Sequence, residues 1–480
     1  MMHAAVGGGR SLLIDGRWEA ADETMAVVDP WTGRPIDAVA CADAGHVERA
    51  VASALRGAEA MRLLSTGERG RILHAAATAL ESDAGRFAAA ITSETGKPIR
   101  SARHEVARAV NTLRLSAEEA VRLAGETIAF DGFPGGEARS GHYVYEPVGV
   151  IAAITPFNDP LNLVCHKLGP AFAAGNAVIL KPAEQAPLVA IMLARLLLAA
   201  GLPEEALGLL TGRGEDFGDA LTGHADVAMI SFTGGARVGE AICRAAGIKR
   251  LAMELGGNGP VIVMDDADIE RAAAACASGA FGAAGQNCIG VQRIYVHDAI
   301  YDAFRAALVA AARALHVGDP TDSATDVGPM IGVAEAERIV AWTVEAVSRG
   351  ATLLTGGERA GPLVRPTLLE NVPGDARVAC DEAFGPVASL FRFAELDEAI
   401  DAANRADYAI HAAVFTESLR TARHAAGRLR AAGVMVNDST DYRLDAMPFG
   451  GAGRGNMGRE GVRFAAREMS QTKVICFHDA

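Results

Sequence analysis

Residues 149–157 read GVIAAITPF, a short run of β-branched and small apolar residues that stops at Thr155 and Pro156. Such a run, bounded by turn residues, predicts a buried strand. The pattern returns at 176–182 (NAVILKP), 207–212 (LGLLTG), 227–234 (VAMISFTG) and 250–256 (RLAMELG), with helical stretches between, including the apolar 186–201. Short apolar strands alternating with helices predict a parallel sheet with right-handed crossovers. Downstream a second series begins at GPVIVMDD (259–266). It runs through a long helix at 267–283, RIYVH (293–297) and a helix at 299–314, and on to about residue 460, which predicts a second α/β domain. Upstream, 45–125 read as helices, because apolar residues recur at three- and four-residue steps. Gly and Pro with flanking alternation at 125–149 predict an extended, hairpin-like segment.

The bulk numbers fit this organisation. A chain of 480 residues, 50% hydrophobic and 22% charged, is expected to build two or three globular domains. The formal charge of −14, from 45 basic and 59 acidic residues, argues against nucleic acid or an anionic membrane as partner, since both need clustered Lys and Arg. The N-terminus MMHAAVGGGR lacks the apolar core of a signal peptide. The most apolar stretch, 186–202, is broken by Pro187 and Arg195 and predicts a buried helix rather than a membrane span. The cysteines are Cys41, Cys165, Cys243, Cys276, Cys288, Cys380 and Cys476. They are scattered and contain no C-x-x-C pair, which fits a reducing cytoplasm. No Cys/His cluster predicts a metal.

Open parallel sheets bind ligands at the carboxyl ends of their strands. Several polar or Gly-rich stretches fall at such ends: ITPFNDPLN (154–162), KPAE (181–184), SFTGGARVG (231–239) and MELGGNGP (253–260). In FTGGARVG, Gly234, Gly235 and Gly239 lie at a strand-to-helix turn whose backbone N–H groups can face a phosphate; a plain tight turn is the alternative. GQNCIGVQR (285–293) sets Cys288 among Gly, Gln and Asn. By itself it is either a buried small hydrophobe or a nucleophile.

Taken in order, ITPFNDPLN, NAVILKPAE, SFTGGARVG, MELGGNGP, GQNCIGVQR, DEAFGPV (381–387) and PFGGAGRGNMGREG (448–461) resemble the aldehyde dehydrogenase superfamily over nearly the whole chain. ITPFNDPLN and DYRLDAMPFGG (441–451) are most similar to the branch acting on lactaldehyde, sulfoacetaldehyde and phosphonoacetaldehyde. The resemblance implies an α/β, aldehyde dehydrogenase-like fold: a Rossmann-like NAD-binding domain (1–125 and 148–255), an α/β catalytic domain (256–462) and a small β oligomerisation element (126–147 and 463–480). It implies a homodimer or homotetramer, with no nucleic-acid or membrane partner.

The resemblance also implies roles. Cys288 is the nucleophile and Glu254 the general base; a solvated strand-end Glu is the alternative for Glu254. Asn158 helps stabilise the oxyanion. Lys167 and Glu460 form a proton path to the base, with a surface helix Glu as the alternative for Glu460. On the cofactor side it implies Thr155, Pro156, Lys181, Glu184, Thr233, Gly234, Gly235, Gly239, Leu255, Gly256, Glu382 and Phe384. A carboxylate at Glu184 would accept from the ribose hydroxyls and repel a 2′-phosphate, so NAD is expected over NADP. Many relatives have Ser at the position of Gly235, so here backbone donors must serve the pyrophosphate. For the substrate it implies Arg443, His166 and Asn287. Arg443 would hold an anionic group or pair with Asp441 or Asp445. Asp159 and Asn287 stand where phosphonoacetaldehyde-oxidising relatives have His and Arg, which disfavours a phosphonate. The implied reaction is aldehyde plus NAD plus water to carboxylate, with CoA in place of water, or a non-catalytic protein that kept the fold, as alternatives.

Overall fold

The computed structural model describes residues 8–406, 408–453 and 457–478. The signal-peptide reading of the first residues therefore falls partly outside the description, as does Arg454-Gly455-Asn456 in the PFGGAGRGNMGREG motif.

The stretch 149–157 forms the strand Val150–Ile154, central in a seven-stranded sheet. It pairs in parallel with Ala177–Lys181 on one side and Met229–Gly234 on the other. Leu207–Leu209 and Arg250–Leu255 extend the parallel core outward. The chain thus runs outward through 177 and 207, then returns to the opposite side of strand 150–154. That reversal is a topological switch point, where open α/β sheets have a crevice at their strand ends. Thr155-Pro156 and Thr233-Gly234 stand at it. The sheet also recruits Leu12–Ile14 and Arg17–Glu19 as antiparallel edge strands, which the sequence reading had left unassigned.

The apolar helix Leu188–Ala199 is buried against this sheet. Upstream helices form at Ala44–Leu63, Thr66–Ser82, Ala84–Thr95 and Ile99–Arg122. Between residues 67 and 96 the helical stretch is interrupted at Asp83. The last helix places Ala102, Val106, Ala109, Val110 and Leu113 in the core, and leaves Ser101, His104 and Arg108 facing elsewhere.

Three residues, 256–258, connect the first sheet to the second. Gly259–Val263 lies between Val291–His297 and His411–Phe415, all parallel, with Val387–Phe393, Thr367–Glu370, Thr352–Thr355 and Gly433–Val436 completing seven strands. Glu254, near the end of one sheet, and Cys288, just before a strand of the other, are thereby brought together. The hairpin-like segment is a third sheet in which Arg139–Pro147 pairs antiparallel with both Glu126–Thr127 and Ser470–His478. The preceding residues Val462–Glu468 are helical. Among the described residues no helix is long and apolar enough to cross a membrane, and no metal-ligand cluster occurs.

Candidate active site

Where the two large sheets meet, a cavity of about 360 Å3 is walled by Asn158, Glu254, Cys288, Glu382, Arg443 and Glu460, among others. A second cavity of about 210 Å3 shares Asn158, Cys288 and Arg443 with it and opens toward helix 99–122. A third, about 690 Å3, runs from Thr155 and Thr233–Gly235 to Lys181 and Glu184.

Cys288 follows an unusual loop. Ala283 and Ala284 have φ of 50° and 55°, a region costly for residues with a Cβ. Gln286 ties the loop down: its Oε1 accepts the Ile331 N–H at 2.9 Å. Gly285 adopts φ +67°, and a Cβ there would lie 2.2 Å from the Gly385 carbonyl oxygen. Gly285→Ala is therefore expected to displace the loop, lowering turnover at least about tenfold and stability by roughly 1–3 kcal/mol. Turnover and melting temperature measured together would check this; unchanged turnover would show that the loop's backbone does not set the position of Cys288.

Burial pushes the Cys288 thiol above its ordinary range, and the neighbouring Glu382 carboxyl pushes it the same way; Arg443 opposes them. Burial likewise raises Glu254 well above the usual carboxylate range, reinforced by the charge of Glu460. Glu254 is 4% exposed and its Oε2 is buried without a hydrogen-bond partner, which removes the solvated strand-end alternative. Thiol and acid are thus both held toward their neutral forms.

Glu460 is not on a surface helix. Its backbone bridges to Phe449, with N–H donated to the Phe449 carbonyl at 2.7 Å, and its side chain is buried. Its Oε1 accepts from Lys167 Nζ and from Thr233 Oγ1, each at 3.2 Å. Its Oε2 accepts from Arg443 at 2.9 Å. Burial works against its charge, but Lys167 and Arg443 prevail and hold it far below the ordinary range. Arg443 therefore pairs with Glu460 and not with Asp441 or Asp445; its guanidinium also lies 3.6 Å from the Phe449 ring centroid. Asp445 is taken by Arg108, Asn162 and His166.

His166 does not line either catalytic-side cavity. It is fully buried, 3.0 Å from Asp445, and burial lowers its pKa. Asn287 does line the second cavity, while its Oδ1 accepts the Ile289 N–H. Asp159 lies there too, bonded to Lys97 and, at 3.4 Å, to Arg108. Lys97 also reaches Glu105, whose Oε1 accepts the Leu161 and Asn162 N–H groups. Lys97, Ser101, His104, Glu105 and Arg108 were missed as site residues. Ser101, His104, Glu105 and Arg108 lie three or four residues apart on helix 99–122 and Lys97 just precedes it, a signal legible only once a cavity is known to lie there.

In the large cleft, Lys181 is buried, 3.8 Å from Glu184, and Glu184 accepts the Gly214 N–H at 2.8 Å. The helix Ala236–Ala246 begins at Gly235 with no side-chain cap, and nothing lies within 4 Å of a Cβ at Gly235. Uncapped N–H groups facing an open cleft fit a pyrophosphate, so the residues present suit a dinucleotide. Gly239 is not among the residues that line this cleft. It faces the sheet, where a Cβ would lie 2.6 Å from Leu255 Cδ2, so its role is close helix-to-strand packing. Leu255 and Gly256 line the catalytic cavity, and the Glu382 carboxyl lies directly over Gly256. Glu382 accepts the Gly257 N–H at 3.1 Å, and burial raises it to about 7. Phe384, at φ 45°, meets Phe157 edge-on at 5.9 Å.

Comparison with known proteins agrees with this geometry. Residues 18–475 match the aldehyde dehydrogenase family. The chain is 52% identical to aspartate-semialdehyde dehydrogenase 1 of Pseudomonas canavaninivorans, over 95% of this chain and 96% of the relative. It is 45% identical to 3-sulfolactaldehyde dehydrogenase of Priestia aryabhattai, over 97% of each. It superimposes with TM-score 0.96 and 35% identity on NADP-dependent glyceraldehyde-3-phosphate dehydrogenase from Bacillus halodurans, solved with NADP and covering 98% of this chain and 99% of that one. With a match of this length, and a thiol, a carboxyl and an amide gathered beside a dinucleotide-shaped cleft, the chain belongs to the aldehyde dehydrogenase family and is an NAD(P)-dependent oxidoreductase.

Proposed function

We propose that the protein oxidises a small polar or anionic aldehyde to its carboxylate through a covalent adduct on Cys288. The observation that carries this is the shared cavity of Cys288, Asn158 and Glu254. The thiol adds to the carbonyl carbon, and its proton passes to Glu254. The Asn158 amide and the Cys288 N–H donate to the oxygen on which charge develops. When bound, the oxidised nicotinamide supplies a two-electron acceptor. The oxidised adduct is a thioester on Cys288. Once the thiol proton has left Glu254 for solvent, the carboxylate takes a proton from water, the water oxygen adds to the acyl carbon, and the C–S bond breaks to release the thiolate and a carboxylic acid, which loses its remaining proton to solvent. Lys167 and Glu460 supply a proton path to Glu254. A buried Glu254 favours water over CoA as the resolving nucleophile. NADH formation with a panel of aldehydes, with and without CoA, tests this; strict dependence on CoA would overturn the hydrolytic reading.

Three observations support the substrate class. The second cavity is small, and Lys97, Ser101, His104, Arg108 and Arg443 line it together with the carboxylates Glu105, Asp159 and Asp441. Two close relatives are named for aldehydes that carry an acid group. Asp159, already bound to Lys97 and Arg108, takes up positive charge that a phosphonate would need.

For the cofactor we propose a preference for NAD, resting on the Glu184 carboxylate in the large cleft; the NADP complex of the Bacillus halodurans enzyme makes this a test of the side chain itself. Glu184→Ser is expected to narrow the ratio of kcat/KM for NAD over NADP. A wild type equally efficient with both would show that Glu184 does not face a 2′-phosphate.

The domain division, with 1–125 and 148–255 for cofactor, 256–462 for catalysis and 126–147 with 463–480 for assembly, is part of the same reading; residues 1–7, 407, 454–456, 479 and 480 in it lie outside the described residues. Strand 470–478 is an edge strand bearing the exposed Val474 and Phe477. Pairing with a second copy would cover that edge, giving a dimer or tetramer. The unpaired cysteines fit a reducing, cytoplasmic setting.

A further inference from the structure

The second cavity at Cys288 holds charges of both signs, and they do not fully satisfy one another. Lys97, Arg108 and Arg443 line it, and so do Glu105, Asp159 and Asp441. Lys97 Nζ donates to Glu105 and Asp159. Arg108 donates to Asp159 at 3.4 Å and to Asp445 at 2.8 Å, and Arg443 donates to Glu460 at 2.9 Å. Donors remain: the Nε atoms of Arg108 and Arg443 are buried without a hydrogen-bond partner, and the Arg443 side chain is 7% exposed. An acceptor remains too. Asp441 is half-buried, and among the described residues no Lys, Arg or His forms an ion pair with it. Its carboxylate meets the Ser439 side chain, and the charge that acts on it is that of Asp438, of its own sign. Burial pushes its carboxyl above the ordinary range, so a cation placed beside it would favour the ionised form.

We propose that Asp441 accepts the ammonium group of a zwitterionic substrate, an α-amino acid whose short side chain ends in the aldehyde, while the Arg443 and Arg108 guanidinium groups meet its carboxylate. This rests on the reading above, because the aldehyde is still oxidised on Cys288, and it narrows the substrate from a polar or anionic aldehyde to one that carries both charges. A buried donor and a carboxylate without a cation are each unfavourable, and such a ligand relieves both. A plain anion would satisfy the arginines but bring its charge into the same small space as Asp441; a plain cation would do the reverse. The cavity is about 210 Å3. At about 30 Å3 per water it takes on the order of seven water-sized groups, the size of a small amino acid. Asp441 and Arg443 are two residues apart in one loop and line the same cavity as Cys288. That placement suits a carbon bearing ammonium and carboxylate together, with the aldehyde reaching the sulfur.

The test uses the full chain, NAD as acceptor and four aldehydes that differ only in charge. L-Aspartate 4-semialdehyde carries both groups, succinic semialdehyde lacks the ammonium, 3-aminopropanal lacks the carboxylate, and propanal lacks both. In the wild type, kcat/KM for aspartate semialdehyde should exceed that for succinic semialdehyde by about ten- to a hundredfold, the size of one charge-assisted contact. The ratio of 3-aminopropanal to propanal should favour the amine in the same way. Asp441→Asn keeps the shape and removes the charge, so both ratios should fall toward one. Asp441→Glu keeps the charge and should retain more of the preference than Asp441→Asn. Each ratio is taken within one variant, so a general loss of folded enzyme cancels. The proposal is overturned if succinic semialdehyde equals or beats aspartate semialdehyde in the wild type, which would make the site one for plain anions. It is also overturned if 3-aminopropanal equals or beats aspartate semialdehyde, or if Asp441→Asn leaves the ratios unchanged. Absence of NADH from all four aldehydes without CoA would instead strike the hydrolytic reading on which the proposal rests, so the two failures are distinguishable.

Discussion

Cys288→Ala is expected to lower aldehyde oxidation by more than about a thousandfold while leaving NAD(P) binding nearly intact. The proposed reaction runs through a covalent bond to one sulfur atom, and loss of a nucleophile of that kind would remove the whole covalent route. Other thiols offer no substitute. None of Cys41, Cys165, Cys243, Cys276, Cys380 and Cys476 lines either cavity at Cys288. The change from thiol to methyl costs little in packing, since Cys288 is only partly buried, beside Ile289, Ile410 and Phe449. The cofactor cleft is built from other residues: Thr155, Lys181, Glu184 and Gly235. NADH formation measured beside cofactor titration by intrinsic fluorescence therefore separates chemistry from binding. Turnover within tenfold of wild type would remove Cys288 as the nucleophile. Loss of cofactor binding in the same variant would point to collapse of the 282–288 loop rather than loss of the sulfur.

What could be read from the chain follows from how local each feature is. The strands around 150, 177 and 229 are continuous apolar runs because both faces are covered, and the run length carries the reading without partners. Glu254 and Asn158 sit in short stretches of unusual composition at the carboxyl ends of strands, and Cys288 in one just before a strand. The edge strands Leu12–Ile14 and Arg17–Glu19 were not legible: each is only three residues long, and pairing with a strand about 200 residues away is invisible in local pattern. Gly239 packs its helix closely on Leu255, and a glycine serves close packing as readily as ligand approach. The pairing of Arg443 with Glu460 escaped for a different reason. Asp441 and Asp445 are its neighbours in sequence, but Asp445 is drawn away by Arg108 and His166, while the backbone bridge of Phe449 and Glu460 brings a more distant carboxylate under the guanidinium. Ser101, His104 and Arg108 went unassigned because polar residues at helical spacing give no local sign that they face a cavity rather than solvent.

Glu254→Gln should separate the two halves of the reaction. The amide keeps the shape of the carboxyl, but it cannot accept and release a proton near neutrality. Addition of the thiol and oxidation of the adduct require Glu254 only to receive the thiol proton once, whereas hydrolysis also requires a base for water, which is far harder to deprotonate than a thiol. The variant is therefore expected to give a burst of NADH approaching one equivalent per active site, then a steady-state rate about a hundredfold or more below wild type. The pH dependence provides an independent sign. Burial and the charge of Glu460 raise Glu254 well above the usual carboxylate range. Its basic form is therefore lost as pH falls through that raised pKa, and wild-type kcat should fall with it while hydrolysis limits turnover. Glu254→Gln has no carboxyl there, so its slow phase should lack that limb. The unpartnered Glu254 Oε2 gives water a place to be held and deprotonated, which accounts for the expected loss being concentrated in hydrolysis. Acid-quench detection of the acyl-enzyme during the slow phase checks the assignment directly. A variant with a normal steady-state rate, or one that lost burst and slow phase equally, would show that hydrolysis draws its base from elsewhere in the cavity.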